Sequence, residues 1–151
     1  MKHRYLVNMR MMCGLAAVAV IGLVFVAPAA AASTRTYHAT FVEIGGGGDG
    51  YSCGSATISG LGHVARQCVV FDACGINCEQ RTIRFDDGST LVIHESIVNV
   101  IAPGNSAGFL EISQTIVGGT GRFLGASGSG TGIVNLDANA VIIASGTITL
   151  P

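Results

Sequence analysis

The sequence predicts an all-β domain, a small eight-stranded antiparallel β-barrel stapled by disulfides, and three observations carry that expectation. Beyond residue 32, runs rich in β-branched and aromatic residues alternate with glycine, proline and asparagine punctuation, and nowhere do apolar positions recur at helical spacing for three turns. From Gly128 to Gly132 glycine returns at every second position. That leaves one strand face bare, so a bulky group or a sharply curved neighbour must approach it, as happens where a small barrel closes. The chain beyond residue 32 holds four cysteines, Cys53, Cys68, Cys74 and Cys78, an even number that fits a disulfide framework in an oxidising compartment.

Residues 1–32 read as a secretory signal peptide. Lys2, Arg4 and Arg10 give a basic start, Gly14 to Val26 form a short apolar core, and Ala29 to Ala32 follow Pro28 with small-residue cleavage sites. Cleavage is expected after Ala32, leaving residues 33–151 as a single barrel domain with no stable membrane anchor, secreted or periplasmic. Cys13 precedes the apolar core, which argues against a lipoprotein. The expected strands cover residues 35–44, 51–59, 63–71, 80–86, 89–101, 107–117, 125–136 and 140–150. The glycine run 45–48 separates the first pair, and Pro103-Gly104-Asn105 the fifth and sixth. Eight short strands with short links can close, and closure removes exposed edges.

Charge excludes some partners. The domain keeps five arginines (35, 66, 81, 84 and 122), no lysine and nine acidic residues, a net charge of −4 with histidine neutral. Scattered arginines on an acidic chain do not suit nucleic acid or an anionic membrane surface, both of which call for clustered basic residues.

Two hairpins can be registered. Asp87-Gly88 signals a two-residue type I′ turn, which would pair Phe85 with Thr90, Ile83 with Val92 and Arg81 with His94. A two-residue loop at Gly60-Leu61 would set Cys53 opposite Cys68 at a separation a disulfide spans, leaving Cys74 to join Cys78. A three-residue loop including Gly62 would shift that register by one.

Several formal motifs fail on context. Gly45-x-Gly47-x-x-Gly50 fits a dinucleotide pattern, but Tyr51-Ser52-Cys53 continues as strand where a helix N-terminus would have to hold the pyrophosphate. Gly104-Asn105-Ser106-Ala107-Gly108 matches a nucleophile elbow, yet no histidine follows it in the order such hydrolases require. Gly118 to Arg122 lacks the Lys-Ser/Thr ending of a phosphate loop. The cysteine spacings do not give the paired C-x-x-C knuckles of structural zinc, and His38, His63 and His94 fall on different strands, so no metal and no cofactor is expected.

The polar residues inside apolar runs are the candidate ligand-binding set. In the fifth strand Glu95 and Asn99 share a face with Leu91, Ile93, Ile97 and Ile101, and in the sixth Gln114 shares one with Leu110, Ile112 and Ile116. If those faces line the barrel, Glu95, Asn99 and Gln114 are polar groups in an apolar cup. Desolvation would then raise the Glu95 carboxyl above its ordinary value of about 4.3. The opposite face, with Val92, His94 and Val98, is comparably apolar and leaves the alternative that Glu95 points to water. Arg122 has two readings as well: a rim cation contacting an anionic or phenolic ligand, or a cap on carbonyls beside a plugging Phe123.

Gly118-Gly119-Thr120-Gly121-Arg122-Phe123 resembles the signature of dirigent proteins and of bacterial secreted proteins similar to allene oxide cyclase barrels. The resemblance covers residues 113–150 and, elsewhere, only the strand rhythm. It implies a small barrel that binds an apolar or aromatic molecule such as a phenol, with a homo-oligomer as an accompanying expectation. Two alternatives stand beside that reading. One is a dirigent- or cyclase-like catalyst using Glu95 or a rim arginine; the other is a structural or surface-interaction protein with a filled barrel.

Overall fold

The computed structural model describes residues 31–47, 50–101, 108–136 and 139–151. The expected leader up to residue 30, the Pro103-Gly104-Asn105 link and the residues of the rejected nucleophile elbow up to 107 lie outside them. Eight strands run β1 (Ser33–Gly47), β2 (Tyr51–Ile58), β3 (Val64–Gly75), β4 (Cys78–Phe85), β5 (Thr90–Ile101), β6 (Phe109–Thr120), β7 (Ser127–Asn135) and β8 (Val141–Leu150). Each pairs antiparallel with the next, and β8 pairs with β1, so the sheet closes into the expected barrel. Among the described residues no helix is long and apolar enough to cross a membrane.

Alternation fixes the inside. Tyr37, Ala39 and Phe41 on β1, Ile83 and Phe85 on β4, Leu91 and Ile93 on β5, Ile112 and Ile116 on β6 and Ile142 and Ile148 on β8 are all buried at every second position. One end is closed by a single 3-10 turn, Gly121–Phe123, whose Phe123 is buried and lies 4.7 Å from the Phe85 ring, with Leu61 packed in the same cluster. The opposite end is the mouth, and its rim strands bring Glu43, Phe71, Glu79 and Leu110 together.

The bare face of β7 points inward. A Cβ on Gly130 would sit 2.3 Å from the Tyr37 hydroxyl and 2.6 Å from the Ser145 carbonyl. Pairing places Tyr37, Gly146, Gly130 and Gln114 in one row across β1, β8, β7 and β6. With no side chain on the two middle residues, the Tyr37 ring lies across both strands. Its hydroxyl donates to Gln114 Oε1 at 2.7 Å.

Both disulfides form as expected, Cys53–Cys68 across β2 and β3 and Cys74–Cys78 across the β3–β4 turn. Such bonds belong to an oxidising environment, extracellular or periplasmic. Cys53 pairs with Cys68 as registered, although the loop is longer than two residues, since β2 ends at Ile58 and β3 starts at Val64. The Asp87-Gly88 hairpin departs from expectation by one residue. Arg81 pairs with Ile93, Ile83 with Leu91 and Arg84 with Thr90. The cause is a three-residue loop: Phe85 and Ser89 are bonded through Phe85 N–H and Ser89 O, Gly88 takes φ +80°, and the Asp87 carboxylate accepts from the Ser89 N–H at 3.0 Å. This is a turn followed by a left-handed glycine, which adds one residue to a tight I′ loop.

Candidate functional site

The register shift decides what lies at the heart of the barrel. With Arg81 opposite Ile93, the guanidinium points inward and reaches the Glu95 side chain two residues on. Arg81 is 1% exposed, Glu95 1% and Gln114 1%, so the inward alternative for Glu95 is the observed one. Arg81 Nε donates to Glu95 Oε1 at 2.9 Å and Nη2 to Oε2 at 2.8 Å, a forked pair that matches guanidinium to carboxylate. Nη2 also donates to Glu43 Oε1 at 2.8 Å, and Nη1 donates to Gln67 Oε1. The Phe41 ring lies 4.5 Å from the guanidinium carbon. Gln114 Nε2 completes the arrangement by donating to Glu95 Oε1 at 2.7 Å.

The result is a chain of polar groups, Tyr37, Gln114, Glu95, Arg81 and Gln67, strung across the interior and touching five strands. Isolated charges in such a place would cost several kcal/mol each, so the arrangement is tolerable only because it is complete. Among the described residues no buried side-chain nitrogen or oxygen lacks a partner. Burial alone disfavours the charge on Arg81, but Glu95 and Glu43 outweigh it and hold the guanidinium above its ordinary range. Desolvation, with the Glu95 carboxylate nearby, pushes the Tyr37 phenol up to about 12.

This plug leaves no passage for a ligand through the middle. The gap between Tyr37, Phe41, Leu61, Leu91 and Ile116 has no room for a water molecule. Above the plug, at the mouth, a cup of about 140 Å³ remains. Its walls are Phe71, Ile97, Leu110, Val134, Leu136 and Ile142, and its floor carries Glu43, Glu79 and Arg81. Glu79 pairs across the strands with Glu95 and is partly buried, and among the described residues its carboxyl has no hydrogen-bond partner. Burial, reinforced by Glu95 and Glu43, pushes its carboxyl up to about 7, against the opposing pull of Arg81. Three carboxyl groups meet one guanidinium here, so the cup favours a hydrogen-bond donor or a cation.

Two sequence candidates do not join this site. Asn99 is exposed on the outer wall, where its amide donates to Glu111 Oε2 at 3.2 Å. The register shift between Ile97 and Asn99 in the β5–β6 ladder is the cause, because an extra residue reverses which side faces in. Arg122 is at the closed end, far along the barrel from the cup. Its guanidinium lies 4.7 Å from both the Phe85 and Phe123 rings, donates to Leu61 O and to Ser89 Oγ, and pairs with Asp87 at 3.2 Å. That is the capping arrangement. The Asp87 carboxyl is held below its ordinary range by hydrogen bonds from Ser89, with Arg122 adding to the effect.

Sequence reasoning missed Arg81, Glu43, Gln67, Tyr37 and Glu79. Arg81 was legible in one respect: it shares the alternating face of Ile83 and Phe85. The histidines do not converge. His38 and His63 line an open groove on the outer wall, while His94 stands beside Cys74 and Cys78. Comparison of the chain with protein-family models, curated proteins and solved structures finds no match.

Proposed function

We propose that the protein is an exported binding module whose site is the mouth cup, and that it takes a small molecule with an apolar or aromatic body and an amine or phenol donor. The observation that carries this is Glu79. A carboxyl with no hydrogen-bond partner at the floor of an apolar cup is unfavourable when empty and is relieved by a donor group. The cup is smaller than the roughly 300–1,000 Å³ of most small-molecule sites, which limits the occupant to a molecule of about one ring. The leader-like residues 1–32 and the two disulfides support export. The Gly118–Phe123 motif agrees with a ligand-holding barrel of the resembled kind, but the ligand sits above the plug and not in the centre.

The geometry does not favour the catalytic alternative that used Glu95. Both of its oxygens are engaged by Arg81 and Gln114, and at 1% exposure it lies within the plug and out of a substrate's reach. The packed interior supports a second reading, a structural or surface-interaction protein.

Calorimetric titration with benzylamine, phenol and benzoate separates these. Benzylamine and phenol are expected to bind one per chain, benzoate to bind far more weakly, and Leu110→Trp, which fills the cup, to abolish binding. Equal binding of all three, or binding unaffected by Leu110→Trp, would refute the site. No binding of any of them would leave the structural reading.

A further inference from the structure

The β3–β4 hairpin carries a feature unrelated to the mouth cup. Cys74 and Cys78 stand on either side of its turn, and their sulfurs and a His94 ring nitrogen all lie within 4.8 Å of one another, partly buried on the outer wall. Cys78 pairs with Ser96, two residues from His94 on the same outward face, so the sheet itself brings the imidazole to the sulfurs. Hydrogen bonds hold the turn alongside the disulfide. Ile97 N–H donates to Asn77 O at 3.0 Å, Asn77 N–H donates to Asp72 Oδ1 at 3.2 Å, and Gly75 pairs with Cys78. Asp72 and Asn77 both hold positive φ, at 54° and 58°, which folds the turn back over β5.

We propose that reduction of the Cys74–Cys78 disulfide converts this corner into a two-thiolate, one-imidazole site for a soft divalent cation of the zinc class. The chemistry balances with a thiol reductant: the disulfide and two thiols exchange to give two cysteine thiols and the reductant's own disulfide. Binding of the cation then releases the two thiol protons to solvent. Thiolate and imidazole are the ligands such ions prefer, and two sulfurs around one zinc stand about 3.8 Å apart given Zn–S bonds near 2.3 Å. The oxidised pair cannot reach that spacing, so reduction is the switch. Three protein ligands leave a fourth position for water or an incoming ligand, as in open sites.

This disulfide is also the one expected to be reduced without loss of the fold. It closes a separation of 4 residues against 15 for Cys53–Cys68, and a shorter loop restricts the unfolded chain less. The sequence alone concealed the site, because its ligands are two cysteines with three residues between them and a histidine from another strand.

Cobalt(II), a spectroscopic substitute for zinc, tests the proposal when added to the protein reduced with a phosphine. The expected result is one cobalt per chain with a thiolate-to-metal charge-transfer band that is absent from the oxidised protein. His94→Ala should weaken binding about tenfold or more and alter the band, because it deletes one of three ligands. Cys74→Ser/Cys78→Ser should abolish the band, and Cys53→Ser/Cys68→Ser should retain it. His94→Ala keeps all four cysteines and can fold with both disulfides before reduction, so it decides the matter even if a cysteine variant fails to fold. No band in the reduced protein, or a band indifferent to His94→Ala, would overturn the assignment.

Discussion

The barrel has an arginine at each level that matters, and both are built from the same parts. Arg81 lies over Phe41 with Glu95 and Glu43 as partners; Arg122 lies over Phe85 and Phe123 with Asp87 as partner. Their surroundings differ. The Arg81 side chain is 1% exposed and that of Arg122 is 42% exposed. A buried pair is costly to assemble and more costly to break, because removing one partner strands the other charge, whereas a surface pair is screened and contributes little. Burial, and not the list of contacts, therefore separates a group that holds the core together from one that trims the lid.

The largest effect is expected at Arg81. Arg81→Met leaves Glu43 and Glu95 facing each other without a cation, and urea unfolding should show a loss of about 3–5 kcal/mol or a failure to fold. The triple variant Arg81→Met/Glu43→Gln/Glu95→Gln should recover much of that loss, since no charge is then stranded. A single Arg81→Met variant as stable as the parent would erase the contrast between the two arginines.

Gly130 comes next, because it is where the polar plug passes the backbone. Gly130→Val places carbon within overlap distance of the Tyr37 hydroxyl and the Ser145 carbonyl. Overpacking of this kind costs roughly 1–3 kcal/mol, and thermal melting should show it. An unchanged or raised melting temperature would mean that the row from Tyr37 to Gln114 is open.

Tyr37 ties the stability of the buried plug to pH. Its folded pKa is raised to about 12 from an ordinary value of 10.0, so the stabilisation linked to it is complete below pH 10 and disappears as pH climbs through 12. Stability measured against pH should fall across that window, and the fall should be much smaller in Tyr37→Phe. At neutral pH the same variant loses one hydrogen bond to Gln114, worth about 1 kcal/mol.

The smallest effect belongs to Arg122. Arg122→Gln should cost no more than about 1 kcal/mol, and added salt should reduce the difference further. A loss comparable to that of Arg81→Met would show that the closed end depends on charge after all.

The strands were legible because period-two patterning and turn residues are local signals. The eight expected runs match the observed strands, and Cys53 meets Cys68 because a hairpin register follows from where its centre lies. The heart of the barrel was less legible. Asp87-Gly88 reads as a tight turn, but Asp86 joins the loop and Ser89 pairs with Phe85 instead, and that one residue moves Arg81 from His94 to Ile93. Asn99 shares a period-two face with Glu95 on paper, and a bulge after Ile97 puts it on the outside. Glu95 and Gln114 were recognisable as odd polar residues in apolar runs. Their partner Arg81 shares the face of Ile83 and Phe85, but the strand carries polar residues on both faces, so alternation does not mark that face as the inner one. Tyr37 meets Gln114 only because barrel closure brings β1 round to meet β8, and Glu43 reaches Arg81 across β2 and β3, contacts that no local pattern reveals.

If the polar chain seals the barrel, small molecules bind only at the mouth. Methyl and amide NMR spectra recorded during a benzylamine titration distinguish the two places. Shifts are expected only in the cup, at Ile97, Leu110, Leu136 and the Glu79 amide, with the signals of Leu61, Leu91 and Ile116 unmoved. Shifts centred on Leu91 and Ile116 would place the ligand inside the barrel and overturn that expectation.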